Sequence, residues 1–446
     1  MLTGPGIGQT TGVRAGASPL RAATSQAWQV MVGSFFIAFM TSSTWMSFGV
    51  FFKPILQEFG WDRATLSLAV AIQMIVYGTS QPLIGRAVDR WGARRIIFLG
   101  ACLAGGGALL LSFVQSVWQL YLIHGVVVSV GITCSSPVTH GVLISNWFRA
   151  RRGFALGVAS AGGTGGGLIL IPLLNALILS VGWRQAYLLL GTAILLIALP
   201  IILVIIRSTP ADRGLLPYSG PAGAGETQDG RGRARVLPAG EPAAVAGLGP
   251  PVASDELRGA MRTRPFWLLA GGFFVCGFTW QLVITHLVPF ATDLGLSPTQ
   301  AASAMGLVAG ANFLGSLSMG ALSDRVGRRG PLAAMYFLRG TGFLLLLLAP
   351  YGPTVFIFAV LAGSTLLATV PLTAAISGNL YGLRNLGAIF GTLTLIHHIG
   401  ASLSVYAAGA IYDAFGSYSA MFLVGGLLGL AAGVLSSRVR EPRTLP

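Results

Sequence analysis

Five histidines and one arginine are the residues best placed for chemistry in this chain of 446 residues, because they stand inside long apolar segments. Titratable or charged groups in such surroundings are costly and are mostly retained for function. Imidazole exchanges a proton near neutral pH and pairs with an anion when it is charged. The same segments contain no Asp or Glu, the groups that a carrier of cations needs. The set is therefore suited to an anionic or polar neutral ligand and to proton coupling.

The main candidates for ligand or proton contact are His397, His398, His124 and Arg339. His397 and His398 are adjacent, so they point about 100° apart on a helix and only one can face a cavity squarely. We favour His397; a hydrogen bond between helices is the alternative for it and for His124. Arg339 stands about 12 Å inside its segment, where it can meet the ligand or an acceptor on a neighbouring helix. His286 is near the end of its segment, so we expect a solvated vestibule there.

Uncharged polar and aromatic side chains of the same segments complete a candidate pocket. Sites for organic ligands combine apolar walls with a few polar groups. The residues that fit this description are Trp45, Gln73, Asn175, Trp280, Gln281 and Asn312. Packing against lipid or neighbouring helices is the alternative role for the two tryptophans.

The composition identifies the elements that must hold these residues. The chain is 54% hydrophobic and 9% charged, with a mean hydropathy of +0.75, whereas a soluble protein has roughly a quarter of its residues charged. This excludes a water-soluble enzyme or nucleic-acid-binding protein and predicts an all-α membrane protein. A bilayer core needs about 20 apolar residues per helix. Twelve such runs occur, at 27–52, 65–87, 94–114, 117–145, 153–181, 184–206, 265–290, 299–322, 331–349, 354–380, 386–412 and 417–437.

The basic residues predict how the chain is oriented. With twelve spans both termini share one side, and Arg and Lys then divide 24 to 3 in favour of that side. Such an excess is typical of the cytoplasmic side. We expect a multi-pass protein of a bacterial cytoplasmic (inner) membrane with both termini in the cytoplasm, and we attribute the net charge of +15 to topology and anionic lipid rather than to nucleic acid. The predicted parts are an N-terminal tail (1–26), a six-helix bundle (27–206), a flexible cytoplasmic linker (207–264), a second six-helix bundle (265–437) and a C-terminal tail (438–446).

The two predicted bundles repeat each other in sequence. GRAVDRWGARR (85–95) matches GALSDRVGRRG (320–330) at an offset of 235 residues, and GWRQAYLLLG (182–191) matches GSYSAMFLVG (416–425) at an offset of 234. Internal repeats are typical of secondary transporters, whose ligand site lies between the repeats at the membrane midplane. Trp45 and Trp280 belong to equivalent first helices, so they can face each other across a central cavity.

The paired loop sequences resemble the motif that follows helices 2 and 8 in the major facilitator superfamily. The resemblance covers the chain except its N-terminal tail and central linker, and it implies two six-helix bundles that rock about a central site. Each copy places a carboxylate near a helix end beside several arginines, where it can accept hydrogen bonds or form ion pairs. We expect this cluster to close the cytoplasmic side in the outward-open state and to separate on rocking. Its residues are Gly85, Asp89, Arg90, Gly320, Asp324 and Arg325.

A narrower resemblance is to the monocarboxylate transporter branch of that superfamily. It is carried by GVFFKPILQEFGW (49–61), NWFRARRGFALG (146–157) and GWRQAYLLLG (182–191). A Lys typical of helix 1 in the animal members aligns with Met46. The Asp and Arg typical of helix 8 align with Asn312 and Ser316.

We therefore expect a secondary active transporter that moves a small organic anion, with a monocarboxylate as the leading candidate, by alternating access and with proton symport. One alternative is uptake or efflux of a larger neutral or weakly acidic compound, such as an aromatic metabolite or vitamin, which the missing helix 8 Arg favours. Another is a membrane receptor that has lost transport, which the intact loop motifs disfavour. The sequence contains no ATP-binding loop, catalytic set or metal-ligand spacing, so we expect no enzyme activity and no cofactor. The expected partners are the substrate, membrane lipid and protons, and not nucleic acid.

Overall fold

The structure is a computed structural model, and it describes residues 19–219, 257–349, 351–382 and 386–439. Only the backbone is described at 19–23, 152–153, 164, 317, 320–321 and 324–325. The predicted tails at 1–18 and 440–446 and linker residues 220–256 lie outside the described residues.

The first half of the chain folds into helices that follow one another with short connections. They are α1 (Pro19–Met46), α2 (Phe48–Phe59), α3 (Arg63–Trp91), α4 (Ala93–Leu111), α5 (Val117–Leu120), α6 (Ser129–Cys134), α7 (Pro137–Trp147), α8 (Arg152–Val181) and α9 (Trp183–Val204). A π-helical turn, Tyr121–Val128, joins α5 to α6.

The second half has the same order, and its fourth long segment is interrupted, as that of the first half is at residues 135–136. Its helices are α10 (Leu257–Met261), α11 (Arg264–Asp293), α12 (Pro298–Val326), α13 (Arg329–Leu348), α14 (Gly352–Gly363), α15 (Thr369–Tyr381), α16 (Leu386–Phe415) and α17 (Ser419–Ser437). Residues 364–368 form a turn between α14 and α15.

Ten described helical segments are long and apolar enough to cross a membrane. They correspond to ten of the twelve predicted spans, and α12 and the interrupted pair α14–α15 occupy the positions of the other two. The described residues contain no strand beyond an isolated bridge between Phe148 and Tyr218. The predicted all-α membrane fold is therefore confirmed.

Close helix contacts recur at the repeat offset in the two halves. A Cβ on Gly191 of α9 would lie 2.6 Å from the carbonyl oxygen of Gly105 in α4. In the second half, a Cβ on Gly340 of α13, 235 residues after Gly105, would lie 2.8 Å from the carbonyl oxygen of Gly426 in α17. Small residues allow such close approach of membrane helices. The sequence repeat is thus also a packing repeat.

The loop motif performs the same anchoring in both halves. The guanidinium of Arg94 donates to the carbonyl oxygens of Ile202 (3.3 Å) and Leu203 (2.8 Å) at the end of α9. Arg329, the equivalent of Arg94, donates to the carbonyl oxygen of Ser437 at the end of α17. Cations are favourable at helix C-termini, where carbonyl groups lack partners. Each motif therefore ties the third long helix of its half to the sixth.

The first residues of the predicted linker are folded against the first half. The backbone N–H of Tyr218 donates to the carbonyl oxygen of Trp147 (2.8 Å), and the carbonyl oxygen of Tyr218 accepts from the N–H of Arg149 (3.0 Å). The Arg213 guanidinium donates to a side chain of α1 (2.7 Å). Residues 207–219 therefore belong to the folded body, in contrast to the flexible linker predicted there.

Candidate functional site

Four rings meet where the two halves face each other, one at the end of α1 and the others near the middle of α3, α11 and α16. Trp45 and Trp280 lie edge to face with their centroids 5.8 Å apart. Tyr77 lies 6.3 Å from Trp45 and 5.0 Å from His398. Because α1 and α3 of the first half and α11 and α16 of the second each contribute one ring, we call these four residues the central cluster. Trp45 and Trp280 are therefore in direct contact, whereas their equivalent positions predict that they face each other across a cavity.

His398 reaches the other half because α3 has a glycine opposite it. A Cβ on Gly78 would lie 3.1 Å from the Cβ of His398, so the two helices approach closely at this point. His398 Nδ1 is 2.7 Å from the carbonyl oxygen of Thr394. A carbonyl only accepts, so Nδ1 carries the proton and Nε2 of the neutral ring is left as an acceptor. His398 thus offers one proton-accepting nitrogen beside Tyr77.

His397 points toward its own half instead. Its ring lies 4.7 Å from the ring of Phe273 on α11. A Cβ on Gly277 would collide with the carbonyl oxygen of His397, so α11 and α16 are in backbone contact there. This contact fixes the rotation of α16 and directs His398 toward the first half. The structure thus brings the ring of His398, and not that of His397, against a ring of the other half.

Several buried polar atoms near the central cluster have no hydrogen-bond partner among the described residues. Trp45 Nε1 and Gln73 Nε2 are unpaired donors, and Gln281 Oε1 is an unpaired acceptor. Gln73 precedes Tyr77 by one helical turn and shares its face of α3. The Nε2 of Gln281 donates to Thr285 (2.9 Å). Unpaired buried donors are unfavourable in an empty site and are suited to a ligand that accepts hydrogen bonds.

Two candidate residues are engaged in the fold rather than in the central cluster. Arg339 is fully buried. Its guanidinium donates to the carbonyl oxygens of Thr365 and Leu366 and to the hydroxyl of Thr279 (3.1 Å). Asn312 Oδ1 accepts from the backbone N–H of Leu367 (3.0 Å). Both side chains therefore satisfy the turn between α14 and α15, which leaves Arg339 no surface for a ligand in this conformation. For Arg339 the sequence analysis considered either the ligand or an acceptor on a neighbouring helix, and the carbonyl groups of this turn are such an acceptor.

Asn175 and His124 lie outside the central cluster. Asn175 is buried on α8. His124 lies in the π-helical turn, fully buried, with its ring stacked 4.3 Å from that of Phe48. Neither ring nitrogen of His124 has a hydrogen-bond partner among the described residues. Isolated π-helical turns are frequent at functional sites, and His124 remains a candidate for proton contact.

His286 does not occupy the solvated vestibule that the sequence predicts. It is fully buried. Its Nδ1 lies 3.0 Å from the hydroxyl of Tyr418, and its Nε2 lies 3.0 Å from the carbonyl oxygen of Val405. Both ring nitrogens are therefore used within the second half, and the prediction is wrong because α16 and α17 cover this end of α11.

The two halves are joined at one face of the protein. It lies opposite the face that carries the loop motifs at 85–95 and 320–330, which we call the arginine-rich face. Asp293 pairs with Lys53 (2.6 Å) and with Arg63 (2.7 Å). The carboxylate of Asp413 accepts from the backbone N–H groups of Arg63 (3.0 Å) and Ala64 (2.6 Å), at the N-terminus of α3. We call these five residues the closing cluster, and the hydrogen bonds and ion pairs that the structure describes between the halves all involve it. It links α2 and α3 of the first half to α11 and α16 of the second.

The arginine-rich face has a different character. Asp89 and Arg90 are exposed, and neither forms an ion pair with a described side chain. A Cβ on Gly85 would meet no atom within 4 Å. In the second motif, only the backbone of Gly320, Asp324 and Arg325 is described. Ion pairs thus join the halves at the opposite face, whereas the first loop motif forms none with the described side chains at the arginine-rich face.

Comparison with known proteins decides the family. The model of the Major Facilitator Superfamily matches residues 34–289 and 269–446. The chain belongs to the major facilitator superfamily. It is a multi-pass membrane transporter and not an enzyme, and its resemblance to the monocarboxylate transporter branch is confirmed by relatives of that name.

Two relatives and one solved structure illustrate the likeness. The uncharacterized MFS-type transporter YcxA of Bacillus subtilis (strain 168) is 28% identical over 400 residues, 88% of this chain and 90% of the relative. Monocarboxylate transporter 13 of Rattus norvegicus is 28% identical over 415 residues, 92% of this chain and 88% of the relative. A bacterial homologue of the human lysosomal transporter Spinster, in an inward-facing and unoccupied conformation, has a TM-score of 0.65 at 17% identity over 94% of this chain and 95% of that one. The last is a likeness of fold alone.

Sequence reasoning missed Tyr77 and the closing cluster. Tyr77 has no sequence signal of its own, because tyrosine is common in apolar helices. The closing cluster did leave a signal. The cations predicted at the opposite face, Lys53, Arg63 and Arg184, all belong to the first half, whereas the second half has only Asp293 and Asp413 there. This complementarity indicates an attraction between the halves at that face.

Proposed function

We propose that this transporter carries a small organic anion, recognised through a carboxylate, at the central cluster. The observation that supports it is the pair of unpaired buried donors, Trp45 Nε1 and Gln73 Nε2, beside rings from both halves. A carboxylate accepts hydrogen bonds from neutral donors, and its apolar body fits between aromatic rings. The relatives named monocarboxylate transporters support the same substrate class.

We propose proton symport through His398. Its Nε2 is the acceptor nitrogen of the neutral ring, and the ring contacts Tyr77 of the other half. A proton taken up at Nε2 gives an imidazolium that pairs with the carboxylate. Release of both together leaves the neutral ring, which can return without substrate. This order couples one proton to one anion.

A larger neutral or weakly acidic aromatic compound is the second candidate. The observation in its favour is that Arg339, the one cation inside a predicted span, is used by the turn between α14 and α15. Asn312 and Ser316 also stand where the branch has an Asp and an Arg. Without a permanent cation at the central cluster, binding depends on rings and neutral donors. Either candidate crosses by alternating access.

The proposed setting is a bacterial cytoplasmic membrane with both termini in the cytoplasm. The arginine-rich face is then cytoplasmic, and the closing cluster seals the external side. In the opposite state the loop motifs at Asp89 and Asp324 would close the cytoplasmic side and the closing cluster would separate. The excess of arginine on one side supports this orientation.

Transport into proteoliposomes tests the proposal. Labelled aliphatic and aromatic monocarboxylates are compared with their uncharged amides, with and without an inward proton gradient. We expect carboxylates to be accumulated, the gradient to drive them, and the amides to be excluded. Preferred uptake of the amides would establish the second candidate, and no uptake of either class would favour a receptor that has lost transport.

Two matched variants test the proton site. His398→Gln keeps a polar side chain without a titratable ring, so we expect it to lose the response to the proton gradient. His397→Gln on the next position serves as the control and is expected to retain that response. A loss in His397→Gln alone would overturn the assignment of His398.

A further inference from the structure

A groove with basic and apolar walls lies between the start of α4 and the end of α9. It has a volume of about 280 Å³ and is lined by Arg94, Arg95, Phe98, Ile202 and Leu203. It belongs to the arginine-rich face of the first half, away from the central cluster. No residue of the central cluster or of the closing cluster lines it.

Cations are crowded at the open end of this groove. Arg94 and Arg207 both donate to the carbonyl oxygen of Leu203 (2.8 and 2.9 Å), so the two guanidinium groups share one helix end. Desolvation and the nearby charges of Arg94 and Arg213 lower the pKa of Arg207 from its ordinary value, against the opposing effect of Asp212. Arg95 is exposed and lines the same groove as Arg94. The described neighbours supply one carboxylate for this group of arginines, so the site favours an additional anion.

The walls of the groove are apolar and face outward. Phe98 is 38% exposed and Leu203 is 51% exposed. Large apolar side chains on the outer surface of membrane helices contact lipid tails. The groove therefore has two different ends. One end is cationic and lies where α4 begins and α9 ends, and the other is apolar and faces the hydrocarbon of the bilayer.

We propose that this groove binds an anionic phospholipid of the adjacent leaflet, with its phosphate at Arg95 and Arg207 and an acyl chain along Phe98 and Leu203. Guanidinium groups bind phosphate oxygens through paired charge-assisted hydrogen bonds. A soluble phosphate would use the arginines alone, whereas a phospholipid uses both ends of the groove. The bound lipid would hold the end of α9 against α4, where the loop motif is anchored.

The site is specific to one half and is not a general result of the basic face. At the repeat offsets, the second half has Gly330 in place of Arg95 and Glu441 in place of Arg207. Topology signals require arginines on this face but do not require them at these two positions. The difference provides an internal comparison within one molecule.

Native mass spectrometry of the purified full chain tests the proposal. The probes are phosphatidylglycerol, phosphatidylcholine with the same acyl chains, and soluble glycerol 3-phosphate. The site variant is Arg95→Gln/Arg207→Gln, with Arg94 left intact because it anchors α9. The matched control is Arg149→Gln/Arg258→Gln, which removes two exposed arginines elsewhere on the same face.

We expect the site variant to bind phosphatidylglycerol at least about tenfold more weakly than the unmodified chain, from the usual contribution of an arginine near an anionic headgroup. The control variant should retain binding within about twofold, and all three chains should melt at the same temperature in phosphatidylcholine. Three results would each overturn the proposal. The first is an equal loss of phosphatidylglycerol binding in the site variant and the control variant. The others are that the unmodified chain binds phosphatidylcholine, or glycerol 3-phosphate, as tightly as phosphatidylglycerol.

Discussion

The two halves differ most where their third and fourth long segments cross. In the first half, a Cβ on Gly131 of α6 would lie 2.6 Å from the backbone nitrogen of Ala104 in α4. The positions 235 residues later are Leu366 and Arg339. There the helix is interrupted, and the Arg339 guanidinium donates to backbone carbonyl oxygens of the turn. One repeat thus closes this crossing with two small residues and the other with a buried cation.

The comparison shows that a buried arginine can take the place of direct contact between two small residues. An interrupted helix leaves carbonyl groups without partners, which is unfavourable away from water. Arg339 supplies several donors to these groups, and Thr279 and Thr365 accept from it. The negative end of α14 favours the charge, so no carboxylate is needed. The turn at 364–368 and Arg339 therefore form one structural unit.

Replacing Arg339 is expected to cause the greatest loss of stability. Arg339→Ala removes the guanidinium donor from the carbonyl oxygen of Thr365, at a cost of about 1–3 kcal/mol, and opens a cavity, whereas the carbonyl oxygen of Leu366 still accepts from the Thr369 hydroxyl (3.1 Å). We expect most of the protein to aggregate, with little monodisperse material by size-exclusion chromatography. Arg339→Lys should recover only part of the stability, because an ammonium lacks the planar fork. Leu338→Ala, at an exposed neighbouring position, is the control. A normal melting temperature for Arg339→Ala would refute the assignment.

A smaller loss is expected when the first-half crossing is overpacked. Gly131→Ala places a methyl group against the backbone of Ala104, and overpacking of this kind costs about 1–3 kcal/mol. Melting in detergent measures the effect. Gly141→Ala is the matched control, because a Cβ there meets no atom within 4 Å. If both variants melt alike, the crossing is less close than the structure describes.

Much of the fold follows from sequence, whereas the partners of single residues do not. Apolar runs, charge asymmetry and the repeat at 85–95 and 320–330 predict the helices and their pairing. Pro371 signals a break near the turn at 364–368, because it cannot donate to the carbonyl of Leu367, but nothing predicts that Arg339 would find backbone acceptors there. Likewise, the sequence does not distinguish His397 from the adjacent His398, and only the contact at Gly277 decides which of them faces the other half. Helix rotation depends on contacts between distant segments, which one sequence does not display.

Tyr77 and Asn312 are equivalent positions with different roles, and their variants should separate stability from transport. Asn312→Ala removes the acceptor for the Leu367 N–H and should cost about 1 kcal/mol of stability, with KM for the substrate unchanged. Tyr77→Leu should instead raise KM several-fold with little change in melting temperature. Parallel melting and uptake assays measure both. A raised KM in Asn312→Ala would return that residue to the substrate site.

The weakest effect is expected at the closing cluster, where the halves differ in charge rather than in packing. Lys53→Gln removes one pair with Asp293 and leaves the pair with Arg63. Both partners are partly exposed, so the loss should be at most about 1 kcal/mol, or about a fivefold rise in the population open at that face. Spin labels at Gln115 and Thr299 would report a longer distance, and Lys53→Arg should restore the original one. An unchanged distance in Lys53→Gln would show that Arg63 and Asp413 suffice, because the backbone N–H groups at the start of α3 are held whatever the charge at position 53.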